Sequence, residues 1–243
     1  MTHMKIEKWI HINYEETDKW LFPIFNELRT SLRLKDDENL DQYFIKLSYH
    51  ISTRLETLPI ICERLNDGFN SIMDICKEKI EHINISSKNE NGYVLEIDEK
   101  VKYSMILDID SFLFEINSCL ELIKKLIKKI YSLVDHKIDN IDEEVKQLLI
   151  KKGQDIEWYR LLDSERNFFI HEGTPFFAID YTNHTIGQYD ILIMKDNIHS
   201  FDQKKKYYRL SEFSKILNGF HKSKNIIADY LMLVCKKYRL DLS

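Results

Sequence analysis

An all-α fold is what this sequence predicts, and three observations carry the expectation. Only 6 Gly and 3 Pro occur in 243 residues, whereas sandwiches and barrels need such residues at every chain reversal. A hydrophobic content of 44%, with 12% aromatics, is enough for a real core and argues against disorder. Most of the apolar residues recur at steps of three and four, the period of an amphipathic helix.

The elements follow in chain order. Glu15 to about Leu34 carries Trp20, Leu21, Ile24, Phe25, Leu28 and Leu32 at helical spacing, with Pro23 acceptable in a first turn or at a kink. From Leu40 to about Ile83 the pattern continues through Phe44, Leu47, Ile51, Leu55, Leu58, Ile61, Leu65, Phe69 and Ile72. Pro59 is expected to divide this stretch into two helices. The polar run over 86–92 reads as a loop and a boundary, and Tyr93-Val94-Leu95-Glu96-Ile97 as a short strand. The organisation expected is an N-terminal helical region over 1–92 and a second helical unit over 93–243, or both merged into one continuous domain.

The clearest apolar stripe runs from Ile106 to Val134. Asp108 and Asp110 are expected at the positive N-terminal end of that helix, and Lys124, Lys125, Lys128 and Lys129 towards its negative C-terminal end. Asn140 followed by Glu143 has the form of a capping box for a helix ending at Lys152, with Gly153 as its left-handed terminator. The next helix is expected from about Asp155 to Glu172, burying Ile156, Tyr159, Leu162 and Phe169, and closed by Gly173 with Pro175 beyond. The β-formers of 176–181 and 189–194 suggest a small hairpin inserted near 176–194. Ser211 reads as the N-cap of a last helix that carries Phe213, Ile216, Phe220, Ile227 and Leu231 towards Tyr238.

The formal charge is −5, from 35 Lys+Arg against 40 Asp+Glu, so no global positive field holds a polyanion and any such contact needs a local patch. Three lysine groups offer one: Lys124 to Lys129, Lys151 with Lys152, and Lys204 to Lys206, the last followed by Tyr207, Tyr208 and Arg209. The ordinary reading of such groups is a solvated surface. The four cysteines, Cys62, Cys76, Cys119 and Cys235, form no close pair of the zinc or redox kind and read as buried thiols of a reducing cytoplasm. The remaining histidines lack metal-ligand spacing, so no metal or cofactor is expected. With no apolar leader and no stretch of roughly 20 apolar residues, a cytoplasmic protein without membrane contact is expected.

One constellation carries chemistry. Arg166-Asn167-Phe168-Phe169-Ile170-His171 resembles the R-x4-H signature of HEPN domains, placed late in one long helix and opposite another. The resemblance rests on six residues and that helical context. It implies a HEPN-like antiparallel helical bundle, here with extra N-terminal helices and the hairpin insertion. It also implies a metal-independent endoribonuclease that works as a homodimer, acts on RNA, and serves as a toxin or antiphage effector. An antitoxin or other regulatory protein would be its partner. One subgroup of the family carries a tyrosine two residues after the histidine, a site of AMPylation. Gly173 stands there in this chain, so that regulation is not carried over.

The side chains suit the implied reaction, because RNA brings its own nucleophile in the ribose 2′-OH and can be cut to a 2′,3′-cyclic phosphate without metal. Arg166 would hold the phosphate through its planar fork of donors. His171 would serve as general acid or base, and Asn167 would orient it or the phosphate. Glu172, Asp110 and Glu115, together with Arg160, are further candidates for substrate contact, the plainer reading being solvated charges or caps. On an α-helix residues five apart stand about 140° apart, so Arg166 and His171 do not share a face, while Arg160, Ser164, Asn167 and His171 form one polar stripe. The resemblance answers this with a two-fold axis that brings both motifs together. The alternative is a non-catalytic helical module that binds nucleotide, RNA or a protein partner.

Overall fold

The two longest apolar stripes of the sequence become the two longest helices, and they pack side by side. In the computed structural model the described residues are 20–31, 37–80, 96–180, 182, 187–196, 201 and 206–241. Among them the chain is mostly helical, with six α-helices and one small antiparallel sheet. Helix α1 spans Phe22–Ser31, α2 Glu38–Ile80, α3 Glu99–Leu133, α4 Ile141–Lys151, α5 Glu157–Asn167 and α6 Phe213–Asp241. Strand β1 spans Phe176–Asp180, β2 Asp190–Met194 and β3 Tyr207–Arg209, in the order β1-β2-β3.

Helices α2 and α3 run antiparallel, as two cross-links show: Arg54 pairs with Glu115 at 2.6 Å, and Arg64, ten residues later, pairs with Asp108 at 2.5 Å. Helix α2 is one unbroken helix of 43 residues, which corrects the expected division at Pro59. Proline removes one amide donor and crowds the carbonyl four residues back. Here the cost falls on an exposed side of the helix, while Leu55, Leu58 and Ile61 are buried around it, so packing on both sides overrides the local break. Pro23, by contrast, sits in the first turn of α1, where the missing donor matters least.

Helix α3 begins earlier than its apolar stripe suggests. Asp98 caps it by accepting from the Lys100 amide at 2.7 Å. Asp108 and Asp110 therefore lie in its interior, and no basic residue stands in its last turn, so neither expected charge placement at the helix ends holds. The α4 signals hold in part: Asn140 Oδ1 accepts from the amides of Asp142 and Glu143 and Gly153 has φ +73°, but the Glu143 carboxylate accepts from Gln147 at 2.7 Å and does not close a capping box.

Phe213 joins the sheet to the bundle, stacked between Phe112 of α3 at 5.0 Å and Tyr208 of β3 at 5.7 Å. Strand β2 is the middle strand, with Ile191, Leu192, Ile193 and Met194 all buried. It pairs Ile193 with Phe177 on one side and with Tyr208 on the other. The hairpin is thus present, and β3 is an addition that the sequence reading missed. Ser211 does not cap α6. A single 3₁₀ turn, Leu210–Glu212, intervenes, and Ser211 instead donates to Asp190 through its hydroxyl at 2.6 Å and its amide at 3.3 Å.

Most of the buried apolar residues form one cluster reaching from Leu21 to Cys235, with Cys76, Phe168, Leu192 and Met194 buried outside it. Cys76, Cys119 and Cys235 lie in the interior, and Cys62 is half-buried. Among the described residues no helix is long and apolar enough to cross a membrane. The start of the first expected helix, Leu32, the boundary at 86–92, most of the expected strand at 93–97, His184, His199, Lys204 and Lys205 lie outside the described residues. Glu96 and Ile97, which are described, have no regular structure.

Candidate active site

Helix α5 has a buried face and an exposed one, and the motif lies where they meet. Trp158, Tyr159, Leu162, Glu165 and Phe168 are buried, whereas Arg160, Ser164, Asn167 and His171 are exposed. The polar stripe is therefore solvent-facing as read, but Phe168 takes the place expected for Phe169, which is only half-buried. The α-helix stops at Asn167. Phe168–Glu172 form a π turn, closed by the Gly173 amide donating to the Phe168 carbonyl at 3.3 Å. Gly173 ends it at φ +137°, a conformation open to glycine alone.

This turn corrects the expectation of an α-helix to Glu172 and changes the geometry of the motif. An i→i+5 turn takes in one residue more than an α turn. The separation of about 140° holds only for an unbroken α-helix, and the π turn swings His171 from there towards the side of Arg166. Isolated π turns are frequent at functional sites.

Arg166 is half-buried and lines a cleft of about 350 Å³ between α3, α4 and α5. The cleft floor is a charged network about Lys124, a buried lysine of α3. Its ammonium donates to Glu121 at 2.8 Å and pairs with Asp142 of α4. Tyr159 donates to the same Asp142 at 3.2 Å. Burial opposes the charge on Lys124, but the bonds to Asp142, Glu121 and Tyr159 more than offset it and raise its pKa above that of an ordinary lysine. The Lys124 hydrogen bond holds the Asp142 carboxyl below the usual range, and burial pushes the Tyr159 phenol up.

A second charged group lies beneath the motif. Glu165 is 3% exposed and is paired with Lys195, just past β2, at 3.3 Å. The Lys195 ammonium also lies 5.4 Å from the Phe168 ring centroid. Burial raises the Glu165 pKa, with Lys195 acting against the rise. Burial and the Glu165 charge push the Tyr208 phenol well above its ordinary value. One Glu165 oxygen and the Tyr208 hydroxyl have no hydrogen-bond partner. Neither Glu165 nor Lys124 was singled out from sequence as a buried charge.

The remaining candidates are dispersed. Glu172 is exposed at the end of the π turn and Asp110 is exposed on α3. Glu115 is tied to Arg54, and Arg160 pairs loosely with Glu157 at 3.6 Å on the open surface. None of these four lines the Arg166 cleft. Among the described residues Arg166, Asn167 and His171 have no ion pair or side-chain hydrogen bond, and no group of three or more His, Cys, Asp or Glu could hold a metal. Lys206 pairs with Asp196 at 3.3 Å, and Arg209 is held by Asp180 at 2.6 Å, so the basic end of the Lys204 to Arg209 run is engaged in the sheet region. Compared with family models, with curated proteins and with solved structures, the chain matches none.

Proposed function

We propose that this protein is a HEPN-type endoribonuclease that cleaves RNA by 2′-OH attack, without metal, as a homodimer. The observation that carries the reading is the pairing, on one helix, of an unpaired and half-buried Arg166 with an exposed His171 set in a π turn. Arg166 has a free guanidinium at a cleft rim, which suits the phosphate. His171 and Asn167 are open to solvent and to a bound strand. Ile170, next to His171 in the π turn, and Phe176 at the start of β1 are exposed at 49% and 47%, apolar surface of the kind a self-contact covers. An activity of this kind fits a toxin or antiphage effector restrained by a partner protein.

The test is incubation of the full chain with RNA in excess EDTA, with products analysed for 2′,3′-cyclic phosphate. Arg166→Ala and His171→Ala are each expected to slow cleavage by about 10²-fold or more. Cleavage that proceeds equally in both variants, or intact RNA with the wild type, overturns the catalytic reading. Binding without cleavage would favour the non-catalytic module. Sedimentation at micromolar concentration tests the dimer, and a strict monomer counts against a site shared by two chains.

A further inference from the structure

Resting on the nuclease reading of the Arg166 helix, we propose that the cleft beside Arg166 seats the RNA sugar-phosphate backbone, with Lys146 and Asn117 as its further phosphate contacts. The three cations that line the cleft differ in what holds them. Lys124 is buried and bound to both Asp142 and Glu121, so it is part of the wall. Lys146 of α4 and Arg166 of α5 have no carboxylate within ion-pair reach among the described residues. Lys124 is thus shared between two of the three acids in the lining, and the third, Asp163, is exposed to solvent. Asn117 of α3 is half-buried in the same lining, and its carboxamide has no partner among the described residues. Two cations outside any ion pair, with Lys146 over the Tyr159 ring and acting on Asp142 only at longer range, and an amide without a partner line one cleft of about 350 Å³, a donor set that complements phosphate oxygens.

The cleft favours backbone over base. The Tyr159 ring is the aromatic group in its lining, and the ammoniums of Lys124 and Lys146 lie 5.5 and 5.2 Å from its centroid. With the ring 9% exposed, no open face is left for a base to stack on. Contact here is therefore independent of sequence and electrostatic, with a salt dependence that counts phosphates. Position agrees with this role, because Arg166 stands in the last turn of the α-helix that leads directly into the π turn carrying His171. His171 and Asn167 lie outside the cleft lining, so the strand must leave the cleft past Arg166 to reach them.

The experiment is fluorescence anisotropy of the full chain with a short 2′-O-methyl RNA, which cannot supply the attacking hydroxyl, at several salt concentrations. Lys146→Gln is expected to weaken binding several-fold and to lower the slope of log affinity against log salt by about one. The same loss is expected on uridine-rich and adenine-rich oligomers. Lys146→Arg should retain wild-type binding, Asn117→Ala should weaken it less than Lys146→Gln, and Lys222→Gln, outside the cleft, should change nothing. Circular dichroism of each variant separates a lost contact from a lost fold. Wild-type affinity and slope in a folded Lys146→Gln overturn the inference even where native RNA is cut. Lys146-dependent binding without cleavage of native RNA supports the cleft and overturns the nuclease reading alone. A wild type that does not bind the oligomer overturns both.

Discussion

The Glu165 carboxylate lies 3.3 Å from the Lys195 ammonium, so the residue directly before Arg166 is fastened to the end of the middle strand. The Lys195 amide extends that strand by donating to the Lys206 carbonyl at 2.8 Å. Because burial raises the Glu165 pKa in the folded protein, the folded chain keeps a proton that the unfolded chain has already released. Stability therefore falls as pH rises from the unfolded value through the folded one. Glu165→Gln removes that titration, so the melting temperature of the variant relative to wild type should be more favourable near about pH 7 than near about pH 4. An offset that does not change with pH would sink this account.

Lys124 and Asp142 predict the opposite slope. The Asp142 carboxyl is held below its ordinary range, so its contribution is present above the unfolded pKa and is lost as pH falls through the folded one. Lys124→Met should destabilise the protein by about 2 kcal/mol at neutral pH, a modest figure because Asp142 is 49% exposed. The difference from wild type should shrink in acid. Urea denaturation at neutral and acid pH reads both effects.

Gly219 of α6 predicts a large effect from one methyl group. A Cβ there would stand 2.1 Å from Trp158 Cγ and 2.6 Å from Trp158 Cβ, and no rotamer change can move the second. Gly219→Ala should cost about 3 kcal/mol and displace α5, lowering the denaturation midpoint and RNA cleavage together. A variant as stable as wild type would show that the two helices are not in this contact.

Gly173 tests the π turn from its end. Nothing lies within 4 Å of a Cβ built there, so the penalty of Gly173→Ala is conformational and comes from φ +137° alone. About 1–3 kcal/mol is expected, accompanied by loss of cleavage from a displaced His171. Equal stability and activity would mean that the turn tolerates another closure.

Pro59 should be dispensable. Pro59→Ala restores an amide donor to the interior of α2 and should raise stability by about 1–2 kcal/mol, since the helix penalty of proline exceeds what it gains by stiffening the unfolded chain. Thermal unfolding decides it, and a lowered midpoint counts against the claim.

Local signals were legible in the sequence wherever the cause is local. Asn140 caps and Gly153 terminates because each acts within a turn of its own position. The unbroken passage of α2 through Pro59 was not legible, since packing on α3 decides it. The third strand is three residues long and follows a polar connection, which leaves little periodicity to read. Glu165 could have been found: it falls on the 158, 162, 165 face of α5, where the neighbours are apolar. Lys124 similarly interrupts the apolar stripe of Leu120, Ile123 and Ile127. A charge on a buried stripe announces a partner from elsewhere in the chain, but periodicity does not name it. The motif itself was legible as residues, whereas its π closure depends on a hydrogen-bond register that composition does not encode.

That closure makes the end of α5 a helix with one residue in surplus. The residues that close it, up to Glu172, stand rotated by about one residue step, roughly 100°, from where an ordinary helix would have put them. The bearing of His171 and the point at which Gly173 turns the chain towards β1 are thus set by the same surplus residue. Deleting a single position within 168–172 would turn both at once, making the length of this short segment, as much as its lettering, part of what specifies the site.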